Sequence, residues 1–159
     1  MKPMHVKIVT LPAMRVISAH GFGTEPENKA WKKMEEWAAP KGLLDEAGQR
    51  RMFGYNNPNP SEGSPNYGYE FCLTAGAEVL PEGDLRVKQL SGGKYAEATF
   101  EGVPVGTRPE SEDFVPAQWG RLNAWVAENG YQHGDHQWLE EHTLHGNCIS
   151  LLYPLANGG

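Results

Sequence analysis

Trp31-Lys32-Lys33-Met34-Glu35-Glu36-Trp37, closed by Gly42, returns as Trp119-Gly120-Arg121-Leu122-Asn123-Ala124-Trp125, closed by Gly130. Trp31, Met34, Trp37 and Gly42 each map onto their counterpart by the same shift of 88 positions (119 − 31 = 130 − 42 = 88). Four of the five tryptophans share this register. The flanks agree as well: His20-Gly21 precedes the first stretch and Glu101-Gly102 the second, while Tyr69 to Leu73 follows the first and Cys148 to Leu152 the second. Two copies of so long a unit read as a duplicated half-domain rather than a solenoid. The expectation is one domain over residues 1–159, with half-repeats of about 1–80 and 81–159.

A chain of 159 residues buries roughly 68–70% of its unfolded surface, enough for a core without staples. With 14 Lys+Arg against 20 Asp+Glu the formal charge is −6, which argues against direct binding of nucleic acid. No apolar run approaches the roughly 20 residues needed to span a bilayer, and Met1 to Met14 lacks the core of a signal peptide. The expected location is the cytoplasm, without membrane contact, and Cys72 and Cys148 are expected to be reduced core thiols rather than a disulfide.

Short apolar runs at His5–Thr10 and Met14–Ala19, interrupted by Leu11-Pro12-Ala13, predict one broken strand or two. Thr24 and Glu27 have capping-box spacing with Pro26 in the first turn, so a helix is predicted from there to Pro40 or Gly42. Its apolar stripe of Trp31, Met34, Trp37 and Ala38 reads as core. Strands follow at Met52–Tyr55 and Tyr67–Ala75 around the Pro- and Asn-rich loop 56–66, read as mobile. The second half predicts strands at Leu85–Leu90 and Lys94–Phe100, a polar loop, a helix from Phe114 or Pro116 to Glu128 capped by Asp113, and strands at Gln137–Thr143 and Cys148–Leu155. Each half is β-α-β-β with a leading strand, which makes an α+β fold of antiparallel sheets with a helix packed on each.

This order of elements and its local words resemble the GyrI-like (gyrase-inhibitor-like) small-molecule-binding family, whose domain also serves AraC-type and multidrug-binding regulators as an effector domain. The words are Arg15 to Gly21, Ala30-Trp31 with Trp37 and Gly42, Phe53-Gly54-Tyr55-Asn56-Asn57-Pro58, Gly92 to Ala96, Trp119-x-x-Leu122-x-x-Trp125, Leu139-Glu140-Glu141-His142 and Leu152-Tyr153-Pro154-Leu155. The resemblance covers nearly the whole chain and implies two halves about a pseudo-twofold axis with a ligand cleft between them. Few residues precede the first strand, which implies a stand-alone form without a DNA-binding domain. Where the family carries a Glu followed two positions later by Tyr, this chain has Glu140 and His142.

Alternation on a strand puts Trp138, Glu140 and His142 on one face and Leu139, Glu141 and Thr143 on the other. A carboxylate beside aromatic walls is suited to a large cation, and the negative net charge steers such ligands inward. Phe53 with Tyr55, and Tyr69 with Phe71, are further candidates for the cleft, with Phe53 and Phe71 equally able to point into the core. Residue type alone makes Glu140 a solvated strand residue; the resemblance makes it a pocket residue, with Glu141 as its neighbouring competitor. The expected ligand is an amphipathic, cationic or aromatic small molecule. The resemblance also implies two alternatives: a cofactor-independent hydrolase that opens strained cyclopropane-type electrophiles with Glu140 and Tyr55, and a protein inhibitor with a protein partner. His133, His136, His142 and His145 lack metal-ligand spacing and read as exposed loop residues, and no phosphate loop or nucleophile elbow is present.

Overall fold

The structure, a computed structural model, describes residues 4–45, 50–101, 114–144 and 148–156. Its elements are β1 (Val6–Leu11), β2 (Met14–Gly23), α1 (Pro26–Ala38), β3 (Met52–Asn56), β4 (Tyr67–Thr74), β5 (Arg86–Leu90), β6 (Gly93–Glu101), α2 (Phe114–Glu128), β7 (Leu139–His142) and β8 (Cys148–Leu155). The eight strands form one antiparallel sheet in the order β1-β6-β8-β7-β3-β4-β2-β5. The order is unchanged when β1 to β4 are exchanged with β5 to β8. Each half supplies three consecutive strands, the halves join at β7–β3, and each leading strand pairs with the opposite half, β1 with β6 and β5 with β2.

That exchange dictates the shape. β1 and β2 stand six strand spacings apart in the order, about 29 Å across a flat sheet at ~4.8 Å each. Only Pro12-Ala13 connects them, and three Cα steps reach at most about 11 Å. Ser91-Gly92 imposes the same limit between β5 and β6. The sheet therefore curls until the two links meet. Gly92 sits against the Leu11 carbonyl and the Pro12 backbone, where a Cβ would overlap both, and its φ of 72° is left-handed. Inside the curl lies a cluster with one buried residue from every strand: Leu11, Val16, Cys72 and Phe53 from the first half, Leu90, Tyr95, Leu139 and Leu152 from the second.

Both helices pack on the other face. Met34, Trp37 and Ala38 of α1 bury against Ile17, Phe71 and Leu73, and Leu122 and Val126 of α2 against Ala96, Ala98 and Leu151. The shared register has matching surroundings, since Met34 and Leu122 are both fully buried and Gly42 and Gly130 both leave their helix with left-handed φ, 68° and 77°. The start of α1 differs from the capping-box expectation. Glu25 occupies the cap with φ 63° and no side-chain cap bond, Pro26 is the first helical residue, and the Glu27 carboxylate accepts instead from the Tyr67 hydroxyl at 2.5 Å. The expected cap Asp113 lies outside the described residues. No disulfide joins Cys72 and Cys148, and burial pushes the Cys72 thiol up to about 12.

Candidate ligand-binding cavity

A cavity of about 440 Å³ opens on the helix side of the sheet, at the seam where β3 and β7 join the halves. Gly54, Tyr55, Asn56 and Asn59 border it from the first half, and Trp119, Gln137, Trp138 and Glu140 from the second. β7 places its residues by alternation. Leu139 enters the cluster inside the curl, whereas Glu140, opposite Gly54 in the pairing, faces the cavity. Glu141 points away from it and is held by Arg51 through two hydrogen bonds of 2.7 Å. Of the two adjacent carboxylates, Glu140 borders the cavity and Glu141 is paired with Arg51.

Glu140 is reached from two strands away. The Tyr69 hydroxyl donates to its Oε1 at 2.6 Å, and the Trp119 indole N–H donates to Oε2 at 3.2 Å. Tyr69 belongs to β4 and crosses over β3 at Gly54, where a Cβ would overlap its hydroxyl and ring edge. A glycine is therefore required at 54 for space, whatever its backbone angles. Having given its single proton to Glu140, the Tyr69 oxygen accepts from His142 Nε2 at 2.8 Å. This fixes His142 as the neutral Nε2–H tautomer, and its buried Nδ1 has no hydrogen-bond partner among the described residues. Burial pushes His142 down to about 3. Burial also raises Glu140 above the usual carboxylate range, opposed by the bonds from Tyr69 and Trp119 and assisted by the nearby negative Glu27.

The walls are aromatic. Trp119 and Trp138 meet edge to face, centroids 5.2 Å apart and inclined at 62°, and Trp138 leans on Tyr153 at 4.5 Å. Trp138 remains 37% exposed.

The structure brings together some of the residues singled out from the sequence and separates others. Trp138 and Glu140 share the cavity. His142 and Tyr69 are buried behind it, with only the Tyr69 hydroxyl reaching Glu140. Phe71, also on the helix side, is buried beneath Trp31 and His142. Phe53 is corrected to the opposite face, where it is fully buried inside the curl. Tyr55 borders the cavity, but strand alternation from Gly54 sends its ring the other way, and its hydroxyl accepts from Lys88 at 3.3 Å. There Glu70, nearly sealed from solvent, accepts from Ser18 and Asn57 at 2.5 Å and from Lys88 at 2.6 Å. Tyr55 and Glu140 both border the cavity, and the hydroxyl bonded to Glu140 is that of Tyr69. The reading of the first helix's tryptophans as core holds, with Trp37 buried and Trp31 packed against the same cluster; Trp119 packs on the second cluster and also borders the cavity. Nor is His142 an exposed loop residue: its β7 position buries it.

Substituting Gly54→Ala should drive Tyr69 off Glu140. The expected result is a folded protein whose Tyr69 environment, followed by tyrosine absorbance or NMR, loses the hydrogen-bonded signature. His142 supports a pH prediction. Its folded value lies below the unfolded one, so its contribution is complete above about 6.5 and is lost as pH falls toward about 3. Glu140 works in the opposite sense, its contribution being complete below the unfolded value of 4.5 and lost as pH rises through the raised folded value. Comparing wild type with His142→Gln cancels the Glu140 part. Between pH 7 and pH 5, urea unfolding should show wild type losing about 2 kcal/mol more than His142→Gln. Equal losses would refute a buried neutral imidazole.

A family model for the GyrI-like small molecule binding domain matches residues 4–143. The EcmrR C-terminal domain superposes with a TM-score of 0.67 at 13% identity, over 98% of this chain and 99% of that one. A hydrolase from Listeria innocua gives 0.64 at 10% identity over 95% and 91%, and SAV2435, solved bound to tetraphenylphosphonium, 0.53 at 9% over 97% and 95%. Identities this low establish a common fold and nothing finer. No protein of curated function matches by sequence. The sequence match over most of the chain, on a fold shared with these structures, establishes that this protein belongs to the GyrI-like small molecule binding domain family.

Proposed function

We propose that this chain binds an amphipathic cationic or aromatic small molecule in the seam cavity, with Glu140 as the counter-charge, and so senses or sequesters it. One observation carries the reading. Glu70 is paired with Lys88 and Glu141 with Arg51, but among the described residues no Lys or Arg pairs with Glu140, which faces a cavity walled by two tryptophans. A carboxylate raised by burial and left without a cation is a standing electrostatic cost that a bound cation relieves. The family supports small-molecule binding, and the SAV2435 complex holds a lipophilic cation on the same fold.

The test compares 2-naphthylmethylammonium with the neutral 2-naphthylmethanol by isothermal titration calorimetry. The cation should bind more tightly, and Glu140→Gln should weaken it by about 10- to 150-fold, the equivalent of ~1.5–3 kcal/mol for a hydrogen bond to a charged group. Glu141→Gln should leave affinity nearly unchanged. Affinity should also fall as pH drops through the raised value of Glu140, since only the ionised form attracts a cation. If the alcohol binds as well as the ammonium, the reading fails.

A second reading, hydrolysis, is favoured by the 2.6 Å bond between the Tyr69 hydroxyl and a carboxyl of raised pKa, and the Listeria innocua neighbour is described as a hydrolase. In it Glu140 takes a proton from water as the water oxygen bonds to a cyclopropane carbon. The ring C–C bond breaks, its electron pair passes to a conjugated carbonyl oxygen, and Glu140 returns the proton there, while the bond from Tyr69 holds the carboxylate in position. Mass spectrometry of a cyclopropane-bearing electrophile should then show water addition that Tyr69→Phe slows at least tenfold with affinity held within threefold. Ring opening no faster than in buffer leaves binding alone.

A further inference from the structure

We infer that the cavity selects cations carrying N–H donors, namely protonated amines, amidines or guanidines on an aromatic body, over quaternary onium ions of the same charge and outline. The inference rests on the cation-binding reading above and concerns which cations that site prefers. Two tryptophans inclined at 62° form a corner, not an enclosure. A quaternary cation gains most where aromatic faces surround it. Beside Gly54 and Tyr55, the rest of the lining here is amide and carboxylate: Asn56, Asn59, Gln137 and Glu140.

Each of those groups carries an oxygen that can accept from a ligand. Each Glu140 oxygen receives one internal bond, from Tyr69 or Trp119, and an ionised carboxylate has about four lone-pair sites, so about two remain for a ligand. Gln137 gives one amide N–H to the Trp138 carbonyl at 2.9 Å, while its side-chain oxygen takes part in no hydrogen bond among the described residues. Among the described residues no hydrogen bond engages the exposed side chains of Asn56 and Asn59. Covering these amides with the methyl groups of an onium ion would strip their water and return nothing, whereas N–H donors replace the lost bonds. Hydration opposes this preference, since an ammonium gives up water less readily than its methylated form. Tighter binding of the ammonium therefore reports bonds made inside the cavity.

The experiment titrates the full chain with 2-naphthylmethylammonium and with (2-naphthylmethyl)trimethylammonium, which share ring and charge. Wild type should bind the ammonium at least tenfold more tightly, both probes should weaken in Glu140→Gln, and Gln137→Leu with Asn59→Leu should bring the ratio to within about threefold. Trimethylammonium binding equal or tighter, still dependent on Glu140, overturns the selectivity and leaves the cation site standing. A ratio unchanged in the amide variants overturns the assignment to the amide rim. Failure of both probes to bind overturns the selectivity and the cation site together.

Discussion

The curl of the sheet rests on two links that are too short for a flat one. Pro12-Ala13 and Ser91-Gly92 each connect strands that stand far apart in the order, and the reach of three Cα steps forces the ends of the sheet toward each other. Hydrophobic burial then has one economical solution. One residue from each strand fills the inside of the curl, and the helices cover the two flanks on the other side. The seam between the halves, β3 against β7, lies between those flanks. The cavity is the region of seam that neither helix covers.

The arrangement at the seam runs against stability. A carboxylate raised by burial, a tyrosine crossing a neighbouring strand and a neutral buried histidine with one nitrogen unpartnered among the described residues would each cost less as apolar residues. What the three obtain together is direction. The Nε2–H of His142 turns the Tyr69 proton toward Glu140, and Trp119 holds the other oxygen, so the remaining acceptor capacity of the carboxylate faces the opening. The contrast with Glu70 is instructive. Burial would raise it, but Asn57, Lys88 and Ser18 together hold it below the usual range, as expected of an acid whose partners are all internal.

The His at 142, where the family resemblance leads one to expect a Tyr, also finds a place. It does not enter the cavity. Tyr69 delivers a phenol to the same carboxylate from another strand, and His142 supports that phenol from behind. The small residue at 54 makes the substitution workable, because any side chain there would block the path of Tyr69.

Much of the fold was legible in the residues themselves. The 88-residue register of Trp31, Met34, Trp37 and Gly42 located both helices, and alternation on β7 correctly separated Trp138 and Glu140 from Leu139. Such periodicities are local consequences of 3.6 and 2 residues per repeat, so one strand or one helix is enough to express them. Local reading reached its limit where a face had to be assigned across strands. The family match put Tyr55 beside Glu140 and Tyr69 only among the added rings; that the hydroxyl bonded to Glu140 is that of Tyr69 depends on the β3–β4 register and on the space above Gly54. Trp119 shares the spacing of core tryptophans and differs only in lying beside the seam. The sequence by itself determined the elements, their apolar faces and the presence of an acid on β7; the tertiary structure alone decided which side chains converge, because convergence is set by strand order and curl, and these arise from contacts between residues far apart in the chain.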